Sequence, residues 1–269
     1  MNHPPEALGR LRRALLDIGR PLVVGFSGGA DSALLAEQAT AVLGVDRVTC
    51  LTAVSPSLAP EELADCEALA REWSLSWQPV ETDELANPDY VANGGDRCYH
   101  CKAELMDALV PLATAGGARV VLGVNLDDLG DHRPGQQAAA ERGALFPFVA
   151  AGLTKHDVRE VSRHLGLRTA DKPAAACLAS RIPYGTPVSL GVLSSVGRAE
   201  SGLRRLGFSA VRVRHYGDLA RIEVPLGELD ALLSARSEVV EAVRAAGYRY
   251  VTVDFEGLRS GNLNSVLVC

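Results

Sequence analysis

Two groups of residues in this chain carry the means to do chemistry. The first is the string Ser27-Gly28-Gly29-Ala30-Asp31-Ser32, set between a short apolar run (residues 22–26) and a stretch with helical spacing. Glycines let a backbone approach a phosphate with no Cβ in the way. The helix start that follows adds unpaired N–H groups and the positive end of a dipole. Ser27 and Ser32 offer hydroxyls to phosphate oxygens, and Asp31, which would repel a phosphate directly, suits a Mg2+ ion held against one. A capped helix start after a glycine turn is the plainer alternative, but the complete string between strand and helix argues against it. The second group is the cysteines. Cys98 and Cys101, three apart at a loop–helix junction, can share a metal or cluster. Alone they could also be half a zinc site, a redox dithiol or a coincidence. Cys177 lies in Lys172-Pro173-Ala174-Ala175-Ala176-Cys177-Leu178-Ala179-Ser180-Arg181-Ile182-Pro183-Tyr184-Gly185. There Ser180 and Arg181 supply a hydroxyl and a fixed cation, useful for binding an anion and for lowering a thiol pKa. Two cysteines from one loop and one from another can hold three irons of a 4Fe–4S cluster and leave the fourth open to a sulfide. Cys50, Cys66 and Cys269 have no such neighbours, and the first two read as small core hydrophobes.

The elements that position these groups follow from spacing. Leu8, Leu11, Leu15 and Ile18 share one side of a helix over residues 8–18. Strands are expected over 22–26, 47–54, 75–80 and 119–123, and helices over 32–43, 60–73 and 99–112, with Pro60 suited to a first helical turn. Residues 83–97 are polar and read as a loop. Such alternation gives a parallel sheet covered on both faces, with ligands at the carboxyl ends of its strands. The segment Gly123-Val124-Asn125-Leu126-Asp127-Asp128 stands at one such end. Asp128 there can hold metal and Arg133 can meet phosphate, or the segment is an ordinary strand-to-loop turn. Periodicity stops after residue 168, and a loop as long as 168–188 is often functional. A helix over 190–206, strands over 210–215 and 219–224, a helix over 226–246 and a strand over 248–253 then form a small α+β module. In Val211-Arg212-Val213-Arg214 the two guanidiniums share a strand face and suit a phosphate. Arg221 and Glu223 share a face of the next strand. A solvated sheet face with Arg–Glu pairing explains the same pattern.

Composition narrows the class. Hydrophobic content of 47% and charged content of 22% fit a globular protein, and aromatics at 5% leave the core to Ala, Val and Leu. A net charge of −6 counts against a broad nucleic-acid surface. No run approaches the about 18 apolar residues of a membrane span, and residues 11–16 carry charges where a signal peptide would be apolar. A cytoplasmic enzyme is expected, in which six cysteines do not suggest a disulfide scaffold.

The string at residues 27–32 resembles the PP-loop of ATP pyrophosphatases, which cleave ATP between the α and β phosphates; it is not a Walker A loop, because no Lys follows the glycines. With the 172–185 loop and the Arg-Val-Arg segment, the resemblance narrows to the LarE family over nearly the whole chain, as far as Arg259-Ser260-Gly261. Members are sulfur transferases that build the nickel-pincer nucleotide cofactor of lactate racemase. They adenylate the carboxylates of pyridinium-3,5-biscarboxylic acid mononucleotide and convert them to thiocarboxylates. The resemblance implies an α/β adenine nucleotide α-hydrolase-like PP-loop domain over residues 1–168 and a smaller α+β domain over 169–269. It implies ATP and Mg2+ at Ser27, Gly28, Gly29, Asp31 and Ser32, with Gly123, Asp128 and Arg133 beside them. Lys102, next to Cys101, reaches ATP phosphates or is a solvated helix lysine. It implies substrate binding by Ser180, Arg181, Arg212 and Arg214, with Glu200, Glu223 and Arg259 following. Some members sacrifice the sulfur of a single cysteine at the position of Cys177; others carry a 4Fe–4S cluster on that cysteine and a CxxC pair. Cys98 and Cys101 favour the cluster route. The expected partner is a small nucleotide, not a nucleic acid or a membrane, and the expected assembly a homo-oligomer; the sulfide donor is left open. A cluster-dependent tRNA thiolation enzyme is the rival reading, and the acidic balance counts against it.

Overall fold

The computed structural model of the protein describes residues 4–130, 134–173, 177–259 and 262. The first half of the chain runs α1 (Pro4–Asp17), β1 (Leu22–Gly25), α2 (Ala30–Leu43), β2 (Val48–Val54), α3 (Pro60–Glu72), β3 (Trp77–Glu81), α4 (Pro88–Val91), α5 (Arg97–Ala115) and β4 (Arg119–Val121). There follow α6 (Pro134–Glu141), α7 (Pro147–Ala150), α8 (Lys155–His164), α9 (Leu190–Arg205), β5 (Arg212–Tyr216), β6 (Leu219–Glu223), α10 (Leu229–Ser234), α11 (Arg236–Ala245) and β7 (Tyr250–Val253). The chain divides into two compact units, Met1–Glu84 with Cys98–Ala175, and Leu85–Arg97 with Ala176–Cys269.

The first unit is an α/β layer structure. Its four strands are all parallel, in the order β3-β2-β1-β4. Strand alternation sends Leu22 and Val24 to one face, under α1, α2 and α8, and Val23 to the other, where Met106 and Leu109 of α5 lie. Burying each such side chain contributes about 1.5–3 kcal/mol. From β1 the chain winds outward through β2 and β3, then returns to place β4 on the other side of β1. That reversal puts a topological switch point beside the carboxyl end of β1, where open α/β sheets bind ligands. Pro60 occupies the first turn of α3, as expected. The strand expected over 119–123 stops at Val121, because the Leu122 N–H turns to the Leu145 carbonyl (3.0 Å). Helix α8, which hydrophobic spacing did not delimit, starts on a capping box: the Thr154 hydroxyl accepts from Asp157 N and the Asp157 carboxylate accepts from Thr154 N.

The second unit holds a three-stranded mixed sheet, in which β5 and β6 form an antiparallel hairpin and β7 runs parallel to β6. Helices α9 and α11 press Ala199, Leu203, Val239 and Val243 onto Val213, Ala220 and Ile222. The opposite face carries Arg212 across from Glu223 and Arg214 across from Arg221. The helix expected over 226–246 is broken at Ala235 (φ −90°, ψ 22°). A one-residue break keeps Leu232, Val239 and Val243 on the core side, so periodicity does not reveal it. Residues 85–97, expected to be a polar loop, contain α4 and belong to this second unit. No helix among the described residues is long and apolar enough to cross a membrane.

Candidate functional site

The loop after β1 is held open from beneath. Gly28 is left-handed (φ +67°), and a Cβ on it would lie 2.9 Å from Cys66 Sγ, so only glycine fits against α3. Ser27 N donates to Ser32 Oγ (3.1 Å), and that hydroxyl donates to the Gly29 carbonyl (3.2 Å). Thr52 Oγ1 holds the Phe26 carbonyl (2.6 Å). Helix α2 starts at an N-cap glycine, Gly29, and no side chain caps it. Its first-turn N–H groups, which have no partner within a helix, are therefore left for an anion.

Lys172 grips the loop by its main chain. Its Nζ donates to the Gly28 carbonyl (3.2 Å), Glu62 Oε2 (2.8 Å) and Asp65 Oδ2 (2.7 Å). Burial alone would lower its pKa, but the hydrogen bonds to Asp65 and Glu62 outweigh burial and hold it above the ordinary value. Asp31 faces outward from the first turn of α2 and pairs with the ammonium of Lys155; its other oxygen accepts from Asn125 Nδ2 (3.4 Å). A Cβ on Gly123 would stand 3.0 Å from the Asp31 carbonyl carbon and 3.1 Å from Ser32 N. Gly123 thus lets the end of β4 close on the start of α2. The Asp128 carboxylate accepts from Asn125 N (3.1 Å) and completes a capping box there. Lys102 lies on α5, where its Cβ would be 3.4 Å from a Cβ on Gly135. Arg133 lies outside the described residues.

The cysteines sort by exposure. Cys50 and Cys66 are buried, and burial pushes their thiols up to about 12 and about 11. Both are core residues, as their neighbours in sequence suggested. Cys98 is exposed and Cys101 partly so, three apart on the first turn of α5 and hence on one face. The Cys101 thiol donates to Glu84 Oε1 (3.7 Å). Among the described residues no three His, Cys, Asp or Glu side chains are gathered as a metal site.

In the second unit, exposed Cys177 opens a short 3-10 turn, Leu178–Arg181. Ser180 Oγ and Arg181 Nη1 both donate to the Cys177 carbonyl, at 2.7 and 3.3 Å. Arg181 grips buried Glu200 with two hydrogen bonds, Nε to Oε1 (2.7 Å) and Nη2 to Oε2 (3.1 Å). Glu200 also accepts from Arg204 Nη2 (2.8 Å) and Val213 N (3.0 Å). Arg214 donates to the Ser180 carbonyl (2.8 Å) and to buried Glu223 (2.8 Å), which Arg221 (3.2 Å) and Asn262 (2.8 Å) also reach. Arg212 donates to the Arg259 carbonyl (3.1 Å). Burial, with the cations of Arg181 and Arg214 nearby, pulls Arg212 below its ordinary pKa. Arg214 Nε is buried with no hydrogen-bond partner among the described residues. Ser180, Arg181, Glu200, Arg212, Arg214, Glu223 and Arg259 thus form one network that includes the Cys177 main chain, with more cationic donors than anionic acceptors.

A family model described as NAD synthase matches residues 17–90, which span β1, the glycine loop, β2 and β3. A Lactiplantibacillus plantarum protein named pyridinium-3,5-bisthiocarboxylic acid mononucleotide synthase is 38% identical over 255 residues, 94% of this chain and 92% of that protein. The chain belongs to the LarE family. It is an ATP-dependent sulfur transferase with a PP-loop. An uncharacterized Synechocystis sp. protein is 48% identical over 263 residues, 97% of each chain, and an uncharacterized Methanocaldococcus jannaschii protein is 26% identical over 242 residues, 90% of this chain and 92% of its own.

Sequence reasoning missed four residues of this LarE chain. Lys155 and Lys172 meet their partners across 124 and 144 residues; the Thr154 capping box was the one local signal for the first. Asn93, left-handed (φ +57°) and fully buried, donates from Nδ2 to the Pro183 and Thr186 carbonyls (2.8 Å each). Arg97 donates to Asn93 Oδ1 and to the Ala179 carbonyl (3.0 Å). Both therefore brace the loop that follows Cys177, and the Asn93-Gly94 pair that signals a turn was the only trace of this in the sequence.

Proposed function

We propose that this protein adenylates the carboxylates of pyridinium-3,5-biscarboxylic acid mononucleotide and converts them to thiocarboxylates for a nickel-pincer nucleotide cofactor. The observation that carries the reading is the arginine network joined to the Cys177 loop, in which Arg214 Nε is buried with no hydrogen-bond partner among the described residues. A nucleotide phosphate is the anion that two adjacent guanidiniums suit. The name of the Lactiplantibacillus plantarum relative supports the same substrate.

In this reading Ser27, Gly28, Gly29 and Ser32 receive the β and γ phosphates of ATP, while Asp31 exchanges Lys155 for Mg2+ and frees that ammonium for the phosphates. Gly123 and Asp128 shape the far wall, with Lys102 and Arg133 as further phosphate contacts. A carboxylate oxygen of the substrate attacks the α phosphorus, and the bond to the bridging oxygen breaks to release pyrophosphate. A sulfur nucleophile then attacks the acyl carbon, and AMP leaves with the bonding electron pair. Arg212 and Arg214 hold the substrate phosphate with Ser180, Arg181 and Arg259. Glu200 and Glu223, fully enclosed, hold Arg181 and Arg214 respectively in place.

Cys98, Cys101 and Cys177 fit a 4Fe–4S cluster in donor chemistry: three thiols open to solvent, two of them on one helical face. Bound there, such a cluster would supply a sulfide as the sulfur donor. The family resemblance also carries a cytoplasmic homo-oligomer acting on a small nucleotide.

Anaerobic purification, ultraviolet–visible and Mössbauer spectra, and mass spectrometry after turnover with ATP, Mg2+, substrate and sulfide test the proposal. An iron–sulfur spectrum, a thiocarboxylate product and an unchanged Cys177 mass are expected. Protein lighter by one hydrogen sulfide would replace the cluster route with self-consumption of Cys177. Absence of substrate-dependent pyrophosphate release would overturn the substrate assignment.

A further inference from the structure

We infer that Lys172 is a positioning residue for the adenylation step: by gripping the Gly28 carbonyl it aims the Gly29 N–H into the pyrophosphate cradle. A trans peptide is planar, with its C=O and N–H on opposite sides. Whatever fixes the Gly28 oxygen therefore fixes the direction of the Gly29 N–H. The Gly28 oxygen is fixed by the Lys172 ammonium (3.2 Å). That ammonium is itself anchored by Glu62 (2.8 Å) and Asp65 (2.7 Å), three residues apart on one face of α3. Asp65 is further tied by Arg168 (2.8 Å).

The grip opposes a flip of this peptide, because Lys172 Nζ is the donor recorded on the Gly28 carbonyl among the described residues. Glycines on both sides leave its rotation sterically cheap, and Gly28 already stands in the left-handed region (φ +67°). Flipped, the peptide would present a carbonyl oxygen to the phosphates in place of an N–H donor. A charged donor on the carbonyl side makes that flip costly before ATP arrives, so the cradle is organised in advance rather than on binding. With its recorded hydrogen bonds on the Gly28 carbonyl, Glu62 and Asp65, the ammonium acts on the cradle through the peptide.

The inference rests on residues 27–32 being the ATP phosphate site, so the experiment separates the two. The full-length protein is compared with Lys172→Met/Glu62→Gln/Asp65→Asn, which removes the grip without stranding the two carboxylates, and with Ser32→Ala. Affinity for ATP and Mg2+ is measured by calorimetry, and thermal unfolding reports the fold. Glycine amides labelled with 15N are followed as inorganic pyrophosphate is added, with Gly29→Ala identifying the Gly29 signal. In the triple variant we expect a retained cooperative unfolding transition, ATP affinity weaker by about tenfold (about 1.4 kcal/mol) and loss of the pyrophosphate-induced shift of the Gly29 amide. A purely structural lysine would move the unfolding temperature and leave that amide response intact. If Ser32→Ala weakens ATP binding while the triple variant keeps both affinity and the Gly29 response, the positioning role is overturned. If neither variant changes ATP affinity, the phosphate-site reading fails and the inference falls with it.

Discussion

The two candidate anion sites of this protein are built from opposite materials. In the first unit the cradle is main chain: N–H groups of a glycine loop and an uncapped helix start, shaped from behind by hydroxyls and one lysine. In the second unit the site is side chain: Arg181 in the turn after Cys177 and Arg214 on the sheet face, each paired with a buried carboxylate. A backbone cradle is cheap in charge and strict in shape, because any Cβ in the wrong place closes it. A side-chain site tolerates shape changes but depends on buried ion pairs, whose removal from one side leaves an uncompensated charge. The difference suits the tasks proposed for them. In the proposed reaction pyrophosphate leaves after each adenylation, whereas the substrate phosphate is held through adenylation and sulfur transfer.

Substitutions can break or sharpen that contrast. The largest effect is expected from Cys177→Ala, which should lower thiocarboxylate formation by at least about 10³-fold while leaving pyrophosphate release measurable. Both steps falling together would join sulfur and nucleotide chemistry in a way the contrast does not allow. Next, Glu200→Leu should destabilise the protein by about 3–5 kcal/mol in urea unfolding, because Arg181 remains buried without its partner. Glu200→Gln, which keeps the acceptor from Val213 N, should cost less. Gly28→Ala should cost about 1–3 kcal/mol from backbone strain, and it should weaken ATP binding more than it weakens substrate binding. Equal losses of both ligands would mean that the two sites are not separately built. The smallest effect concerns pH. Burial would raise the Asp65 carboxyl, but hydrogen bonds from Lys172 and Arg168 outweigh it and hold the pKa below 3.8. A depressed folded pKa contributes stability above the unfolded value, lost as pH falls through the folded one. Asp65→Asn should therefore shrink the stability lost between about pH 5 and about pH 3 in urea titrations.

The same contrast decides what the sequence reveals. The glycine loop was legible because its chemistry lies within six consecutive residues between a strand and a helix. The faces of β5 and β6 were legible because alternation alone places Arg212 with Arg214 and Arg221 with Glu223. Lys172 and Lys155 were not, since a single lysine carries no periodicity and its partners lie more than a hundred residues away. Residues 85–97 misled for a related reason. Their polar composition reads as solvated loop, yet Asn93 and Arg97 are buried because their polar atoms meet the carbonyls of a distant segment. Glu200 was visible only through resemblance: a glutamate on an amphipathic helix gives no hint that it is enclosed among four donors.

The excursion of residues 85–97 into the second unit makes the chain pass between units three times, so no single cut separates them. A fragment beginning between residues 98 and 172 would contain the loop that bears Cys177 but lose the amide of Asn93 that clasps it. Recombining this half with another nucleotide-binding half therefore calls for a two-piece exchange, in which thirteen residues from the middle of the first half travel with the second.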